Sequence, residues 1–331
     1  PGINTLKNSN GNLKLEIDTT KTTTAKVIKL LGLDNIQDIN ISNIPLETII
    51  KDITTGQERA FYGSKNVHFK NITIDGIEQG ESAFKECRNI TIEDTTIILK
   101  YTIWHCHNIN IYKTVLEATS RASIWYCNNV EITDCKIYSV KGCRNCSNLV
   151  IKDSIIQSED FAWKCESIKL INCKIGGATV TPFFDCTNVT LDGCEIVSKY
   201  LLQYCTNINM YNCTLDTKDC LWHANNVNCK NCKLLGEYLA WYSENVIFEN
   251  CHIDSIQPLC YCKKLKLINC TMSNSNLAFE YSDVEADIHS HVDSIRNVLN
   301  GKVIVDSLGE YVQDEHVLEC KGIVEVRNKT Q

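Results

Sequence analysis

The sequence has 331 residues, of which 44% are apolar, and its formal net charge at neutral pH is −7. This length suffices for a large hydrophobic core, and the negative charge argues against nucleic acid or an anionic membrane surface as a partner. Because no run of eighteen apolar residues occurs, no transmembrane helix is expected.

Residues 1–57 form the first predicted segment and lie outside the repeat that follows. Within it, Thr22–Leu31 has the pattern of a short amphipathic helix, with threonine at its start and Gly32 at its end. We expect this helix to cap the first coil of the repeat, because an open β-structure exposes unpaired strand edges. The alternative is an oligomerisation arm that joins copies of the chain.

A repeat occupies the chain from residue 58 to residue 283. An asparagine returns every 19 to 23 residues, and Ser167, Lys264 and Asp283 take its place where asparagine is absent. The repeat asparagines are Asn66, Asn89, Asn108, Asn129, Asn148, Asn188, Asn207, Asn226 and Asn245. A period of this length, kept over many copies, is the signature of a solenoid.

Each repeat contains two short runs in which apolar and polar residues alternate, rich in Val, Ile and Leu. Such alternation predicts β-strands, and the period is too short for two helices and their turns. The dense leucine pattern of leucine-rich repeats is also missing. The sequence therefore predicts an all-β fold, a single-stranded parallel β-helix whose coils stack about 4.8 Å apart.

Equivalent residues of successive coils stack in columns, which we number from the repeat asparagine. The +1 and +3 columns are aliphatic, as at Val130 and Ile132, and predict the core. The asparagine column predicts a turn with an internal ladder of amides, because asparagine tolerates left-handed φ. A surface row of amides that binds a ligand or ice is the alternative.

Most of the twenty cysteines fall in the −2 and +6 columns, as at Cys127 and Cys135. Small apolar columns predict buried free thiols and a reducing compartment. The pairs Cys143–Cys146 and Cys229–Cys232 have the spacing of zinc or redox motifs, but packing is the favoured interpretation. Residues 1–18 lack a signal-peptide pattern. We therefore expect a cytoplasmic protein, with secretion of a trimmed precursor as the open alternative.

Residues 284–331 form the last predicted segment, in which the cysteine columns stop. The polar stretch 284–305 predicts a loop around His289, His291 and Asp293, whose spacing matches no strong metal-site template. Valine and isoleucine near residues 303–305 and 323–326 predict closing strands.

All five tryptophans occupy the −4 column, together with Phe279, and the −3 column is aromatic or polar up to Glu280. The −5 column is apolar, although strict alternation would place −5 and −3 on one face. A bend near −4 resolves this conflict and turns an aromatic, polar face outward as a shallow groove. Such a face suits a sugar chain. The alternative is tryptophan packed at a corner, beside ladders of ion pairs.

Several phrases carry a resemblance to a known family. They are ERAFYG at 58–63, GESAFKE at 80–86, RASIWY at 121–126, KDCLWHANNV at 218–227, GEYLAWY at 236–242, QPLCYC at 257–262 and LAFEYS at 277–282. Over about residues 56–312 the sequence resembles an uncharacterised bacterial family of right-handed β-helix proteins, a domain of unknown function in the pectin-lyase-like superfamily. The wider superfamily implies polysaccharide lyases, hydrolases and esterases. Their calcium-binding aspartate clusters, and the aspartate trio of polygalacturonases, are not recognisable here.

The first functional hypothesis is a carbohydrate-interacting β-helix, extended to an enzyme that acts on a polysaccharide. Asp219 and Glu237 are the predicted acid and base, with His223 assisting, because glycoside hydrolysis needs two nearby carboxylates. The predicted substrate-binding residues are Trp222, Trp241, Tyr242, Tyr238, Arg121, Glu81, Gln257 and Tyr261. No cofactor or metal is predicted, and the expected partner is an oligosaccharide or polysaccharide. The alternative is a non-catalytic structural or self-assembling scaffold, with homo-oligomers formed through the N-terminal segment.

Overall fold

A computed structural model describes residues 3–9, 12–17, 46–76, 80–314 and 318–327. In these residues the secondary structure is β-strand, apart from one 3-10 turn at Ala118–Ser120. The predicted cap helix, Thr22–Leu31, lies outside the described residues. Within the described ranges, no helix is long and apolar enough to cross a membrane. The predicted all-β class is confirmed.

The chain divides into two compact units, Pro1–Ser158 and Glu159–Gln331. The strands of the first unit are β1 (Ile3–Ser9), β2 (Asn12–Ile17), β3 (Leu46–Thr55), β4 (Lys65–Ile74), β5 (Arg88–Glu93), β6 (Thr96–Ile97), β7 (Ile103–Trp104), β8 (His107–Tyr112), β9 (Val115–Leu116), β10 (Ile124–Trp125), β11 (Asn128–Thr133), β12 (Lys136–Ile137), β13 (Cys143–Arg144), β14 (Ser147–Lys152) and β15 (Ile155–Ile156). The predicted segment boundaries after residues 57 and 283 stay predictions.

Parallel stacking organises the first unit. β1 and β2 pair antiparallel, and β2 then pairs in parallel with β3. From β3 onward, one parallel stack runs through β4, β5, β8, β11 and β14, and a second runs through β4, β6, β9, β12 and β15. β7, β10 and β13 form a third, short stack. Each coil therefore contributes strands to up to three faces.

The second unit repeats this plan. Its strands are β16 (Glu166–Ile171), β17 (Lys174–Ile175), β18 (Thr187–Asp192), β19 (Glu195–Tyr200), β20 (Thr206–Tyr211), β21 (Thr214–Lys218), β22 (Asn225–Lys230), β23 (Lys233–Glu237), β24 (Glu244–Glu249), β25 (His252–Ile256), β26 (Lys263–Ser273), β27 (Asp283–Ile288), β28 (His291–Arg296), β29 (Asn300–Val305), β30 (Ser307–Val312) and β31 (Ile323–Val326). One parallel stack runs from β16 through the even-numbered strands to β26, and then through β27, β29 and β31. The predicted parallel solenoid is confirmed in each unit.

The C-terminal part contains strands where the sequence predicted a loop. Residues 284–305 include most of β27 and all of β28 and β29, and β27 and β29 extend the parallel stack. The loop prediction was wrong because polar residues there occupy the outward positions of strands, while Val292 and Ile295 point inward and are buried. The predicted closing strands near 303–305 and 323–326 are present as β29 and β31.

Single left-handed residues turn the chain between the faces of a coil. In one coil these are Tyr126, Asn129 and Asp134, with φ of 52°, 56° and 54°, which stand at positions −3, 0 and +5. The same positions have positive φ in most other coils. Asparagine and aspartate tolerate this conformation because their side chains form local hydrogen bonds. In the second unit both −5 and −3 have a positive φ, as at Leu221 and His223, so the bend predicted near −4 is present there; in the first unit the turn lies at −3, as at Tyr126.

The core follows the predicted columns. Val130 and Ile132 at +1 and +3 are at most 1% exposed, and Ile124 at −5 is fully buried. All twenty cysteines are free thiols; nineteen are buried and Cys320 is intermediate. Burial raises the pKa of the Cys220 and Cys262 thiols to about 12 each, so the predicted buried columns are confirmed.

The asparagine ladder forms, but it is exposed rather than internal. Asn129 donates its side-chain amide hydrogen to Asn108 Oδ1 at 2.9 Å and accepts one from Asn148 at 2.9 Å. The ladder residues have a left-handed φ at a corner of the coil, and their side chains lie on its outer surface. A second exposed ladder stands at +5 in the second unit, where Asn250 donates to Asn231 and accepts from Asn269. The sequence analysis missed this second ladder.

Candidate functional site: an aromatic row in the second unit

A row of aromatic side chains follows the −3 column of the second unit. We call Tyr204, His223, Tyr242, Tyr261 and Tyr281 the aromatic row. Each of them has a left-handed φ between 50° and 60° and stands just before a strand of the main stack. Because the chain turns at this position, the side chains leave the body of the solenoid. Tyr204 and Tyr242 are 50% and 44% exposed.

The rings of the row stack face to face. His223 lies between Tyr204 and Tyr242, with ring centroids 5.2 and 5.1 Å apart and interplanar angles of 8° and 11°. Tyr242 stacks on Tyr261 at 4.7 Å and 9°. These spacings equal the distance between strands, so coil stacking sets the ring stacking. From Tyr204 to Tyr261 the facing ring surfaces are covered by one another, and the ring edges remain accessible; Tyr281 continues the row with its ring tilted by 39° from Tyr261.

The −4 column borders the row with half-buried tryptophans. Trp222 and Trp241 have ring centroids 6.1 Å apart and are tilted by 47°. Trp241 Nε1 donates a hydrogen bond of 2.7 Å to the carbonyl oxygen of Gln257, so Gln257 holds the ring by its backbone. Tyr238 packs edge-on against Trp241 at 5.1 Å. The structure therefore brings together Trp222, Trp241, Tyr242, Tyr238, Gln257, Tyr261 and His223, as the sequence predicted.

Asp219 and Glu237 stand on adjacent coils beside this border. Asp219 follows β21, is 8% exposed, and donates its backbone amide hydrogen to the carbonyl oxygen of Glu237 at 3.0 Å. Burial raises the pKa of the Asp219 carboxyl above its usual value; the Lys218 charge opposes this effect and the Glu237 charge adds to it. Lys218 Nζ lies 3.3 Å from a Glu237 carboxylate oxygen. The two carboxyls thus have different environments, one desolvated and one ion-paired.

A small void beside Glu237 and the hydroxyl of Tyr261 complete the surroundings of the site. The void beside Glu237 that Leu234 and Leu239 line is too small to admit a water molecule, so a ligand can approach only from the outer face. Burial and the nearby Glu280 carboxylate raise the pKa of Tyr261 to about 12. Its hydroxyl donates a hydrogen bond of 3.2 Å to Glu280.

Arg121 and Glu81, two predicted substrate-binding residues, belong to the first unit. Arg121 is exposed and ends the 3-10 turn with a φ of 55°. Glu81 is half-buried, and its carboxylate lies 3.9 Å from Lys100 Nζ. The first unit has a shorter aromatic stack, in which His105 and Tyr126 are parallel at 5.1 Å. Of the ion-pair ladder that the sequence offered as an alternative, the structure shows one pair here, Glu81 with Lys100.

The register at the end of the aromatic row differs by one residue from the prediction. Phe279, predicted in the tryptophan column, is fully buried, and Tyr281 rather than Glu280 stacks on Tyr261, at 6.0 Å. Ser282 could have revealed this shift in the sequence, because a small residue is typical of the −2 column. In the structure its hydroxyl accepts a hydrogen bond from the Cys262 backbone amide, which places Ser282 in that column.

The histidine–aspartate trio of the C-terminal part does not converge. His289 pairs with Asp287 at 3.1 Å, and His291 lies 3.7 Å from Asp293. Across the described ranges, no three His, Cys, Asp or Glu side chains come together as a metal-ligand group. The pairs Cys143–Cys146 and Cys229–Cys232 therefore belong to no such group, and their thiols lie in the core.

The comparison with known families agrees with this architecture. The profile of a family described as "Protein of unknown function (DUF3737)" matches residues 48–325. The chain belongs to this DUF3737 family. The match is wider than the resemblance drawn from the sequence phrases and includes both units. No curated protein gives a significant match to the DUF3737 chain.

Three solved structures illustrate the proteins whose fold is similar to that of this chain. The Streptococcus pneumoniae surface protein and adhesin PfbA is 8% identical, with 86% of this chain and 92% of that chain covered and a TM-score of 0.34. A hyperthermoactive exopolygalacturonase from Thermotoga maritima is 9% identical, with 98% and 94% covered and a TM-score of 0.29. The A-module of the Azotobacter vinelandii mannuronan C-5 epimerase AlgE4 is 9% identical, with 86% and 89% covered and a TM-score of 0.25. These likenesses carry no argument about the function of the DUF3737 chain.

Proposed function

We propose that this protein binds a carbohydrate chain along the aromatic row of the second unit. The observation that carries the proposal is a continuous row of stacked, partly exposed rings, one per coil, bordered by tryptophans. Aromatic groups with a few well-placed polar groups are typical of ligand sites. A core has no need of tyrosine rings that are about half exposed.

The ring geometry specifies how a sugar chain would lie. Because each ring face is covered by the next ring, sugars cannot insert between the rings, as simple face stacking would require. The chain instead crosses the ring edges. Tyrosine hydroxyls and imidazole nitrogens there exchange hydrogen bonds with sugar hydroxyls, and the borders of Trp222 and Trp241 supply apolar contact.

The experiment is a glycan array followed by titration, with tryptophan fluorescence as the readout. We expect a bound polysaccharide to quench fluorescence, and Tyr242→Ala to weaken binding at least tenfold. Tyr211→Ala is the matched control, since Tyr211 is a half-buried tyrosine of the same unit on β20, outside the row. A broad array without any hit, or equal loss in both variants, would refute the proposal.

A second candidate function is hydrolysis or elimination at the edge of this row. It is favoured by the raised pKa of Asp219 beside an ion-paired Glu237. Two nearby carboxyls in different environments, one desolvated and one ion-paired, suit an acid and a base. In hydrolysis, Asp219 donates a proton to the leaving oxygen as the glycosidic bond breaks, Glu237 accepts a proton from the water that attacks the anomeric carbon, and His223 assists. In elimination, Glu237 instead accepts the proton of a ring carbon, and a carbon–carbon double bond forms as the bond to the leaving oxygen breaks. Loss of product formation in both Asp219→Asn and Glu237→Gln, with binding retained, is the expected result; unchanged turnover would contradict it.

Assembly through the N-terminal segment stays a prediction, because Thr22–Leu31 lies outside the described residues. Mass photometry at micromolar protein, with and without residues 1–57, tests the scaffold alternative. A strict monomer in both forms would remove that alternative, and its outcome is independent of glycan binding.

A further inference from the structure

A trough of about 530 Å³ lies on the outer face of the first unit. It crosses β5, β8, β11 and β14 at right angles to the strands. One wall is the exposed ladder of Asn89, Asn108, Asn129 and Asn148. The floor is the outward +2 column, which includes Asn110, Glu131 and Val150.

The ladder amides keep hydrogen-bonding capacity for a ligand. A side-chain amide has two N–H donors and an oxygen with two lone pairs. Asn108 and Asn129 each use one donor and one lone pair for the ladder. Each can therefore still donate one hydrogen bond and accept another on the solvent side. Among the described residues, the Asn110 side chain makes no hydrogen bond, so its full capacity faces the trough.

The trough is polar but carries no free charge. Its one ionised floor residue, Glu131, is held by Lys152, whose Nζ lies 2.6 Å from Oε1. A polyanion would find no unpaired cation on this floor. A peptide that adds a strand would need a free sheet edge, and β5, β8 and β11 are each paired on both sides. A neutral ligand rich in hydroxyl groups fits the donors and acceptors best.

The spacing of these groups is regular. The floor residues are in register, with Thr91 opposite Asn110, Asn110 opposite Glu131, and Glu131 opposite Val150. Successive coils are about 4.8 Å apart, so the four coils span roughly 14 Å. A linear ligand with a repeating unit meets an equivalent amide at each coil.

We propose that this trough is a binding site for a neutral, linear oligosaccharide, separate from the aromatic row of the second unit. The proposal does not rest on the aromatic row, because it uses only residues of the first unit. The Asn ladder is then both a structural element and one wall of the site, and Asn110 on the floor is available to the ligand.

The test uses isothermal titration with cellohexaose, xylohexaose and maltohexaose as neutral probes, and hexagalacturonate as the charged probe. We expect at least one neutral hexasaccharide to bind. Val150→Trp fills the floor and should weaken that binding at least tenfold, and Asn110→Ala should weaken it several-fold. Asn228→Ala, at the same +2 position in the second unit, is the matched control and should bind as the unchanged protein does.

Several results would overturn the proposal. These are no binding of any neutral probe, equal binding of hexagalacturonate, or full binding by Val150→Trp. Binding that Trp241→Ala abolishes while Val150→Trp retains it would assign the ligand to the aromatic row instead. Thermal unfolding of each variant checks that it is folded, and the outward floor positions make loss of fold unexpected for Asn110→Ala.

Discussion

Left-handed residues form the corners of the coils in this protein. A non-glycine residue in this conformation costs about 1–2 kcal/mol. At positions 0 and +5 the cost is offset by amide ladders, as at Asn129 and Asn250. At position −3 tyrosine and histidine take the same conformation, as at Tyr242 and His223, and ring stacking, worth about 0.5–1.5 kcal/mol per pair, offsets it. Stacking thus stabilises the aromatic row at the corners of the coils, and the ring edges remain exposed to solvent.

Trp241→Ala separates a groove residue from a core residue. Trp241 is half-buried and makes one hydrogen bond through Nε1. We expect the free energy of unfolding to fall by about 2 kcal/mol, less than the 3–5 kcal/mol of a fully buried aromatic, together with loss of glycan binding. Urea denaturation measures the first effect and titration the second.

Phe183→Ala is the control for that measurement. Phe183 is fully buried in the same unit, so its truncation should cost the full 3–5 kcal/mol, roughly as other buried phenylalanines do. Equal losses in Trp241→Ala and Phe183→Ala would mean that Trp241 is a packing residue. Trp125 is also half-buried, and its Nε1 donates a hydrogen bond of 3.3 Å to Asn145 Oδ1.

Asp219→Asn should stabilise the protein at neutral pH. The folded protein holds the Asp219 proton more tightly than the unfolded chain does, because burial raises the pKa of this carboxyl. Stability is therefore lost as pH rises through the window between the ordinary aspartate pKa, about 3.9, and the raised value. The variant lacks this loss. The two proteins should converge in stability below about pH 3.9.

Urea denaturation of both proteins between pH 3 and pH 8 measures this difference. Asp216→Asn is the control, because Asp216 is exposed on the same strand, β21. A destabilised Asp219→Asn at pH 7 would mean that the ionised carboxylate is needed for the fold, and would remove it as a proton donor.

At the scale of elements, the amide ladder holds the corners of the coils. Asn129→Ala removes two side-chain hydrogen bonds and leaves alanine with a φ of 56°. We expect a loss of about 2 kcal/mol in unfolding free energy, since each bond contributes about 0.5–1.5 kcal/mol and the conformation adds its own cost. Asn129→Gly loses the same bonds but adopts this φ freely.

The glycine variant should therefore be more stable than the alanine variant by about 1 kcal/mol. Denaturant unfolding of the two proteins side by side gives this difference directly. Equal stability would show that the ladder bonds alone explain the asparagine, without a backbone contribution.

Columns made most elements predictable from the sequence. Val130, Ile132 and the cysteines recur at fixed positions, so their inward direction followed from the period alone. The register at Phe279 did not, because a one-residue shift keeps a plausible aromatic pattern. The direction of the ladder amides also could not be derived, since asparagine suits a turn whether its side chain points in or out. β28 was not recognised as a strand because its outward residues are polar and only a few apolar residues alternate with them.

At the scale of the whole molecule, the period predicted the solenoid because every coil buries its apolar residues at the same positions of the repeat. The residues of a functional site do not recur with this period, so the repeat does not reveal them. Asp219 and Glu237 were found only as neighbours across adjacent coils, and their different environments depend on burial and on Lys218. The wall of the trough in the first unit corresponds to the surface row of amides that the sequence offered as an alternative, but its floor was missed, because Asn110, Glu131 and Val150 look in the sequence like ordinary outward positions of strands.

The cysteine columns yield a prediction about the whole molecule. Nineteen thiols are buried, and burial raises the pKa of Cys135 to about 11 and of Cys220 to about 12. The thiolate is the reactive form. Burial therefore opposes reaction by denying the reagent access, and the raised pKa of Cys135 and Cys220 adds to this effect at those two residues. A thiol reagent at pH 8 should label about one cysteine in the native protein, Cys320, and all twenty in guanidinium without reductant. Cys320→Ser should abolish the native labelling. Thiols that stay blocked in guanidinium until reductant is added would mean that the columns hold disulfides, and the expectation of a reducing compartment would then be wrong.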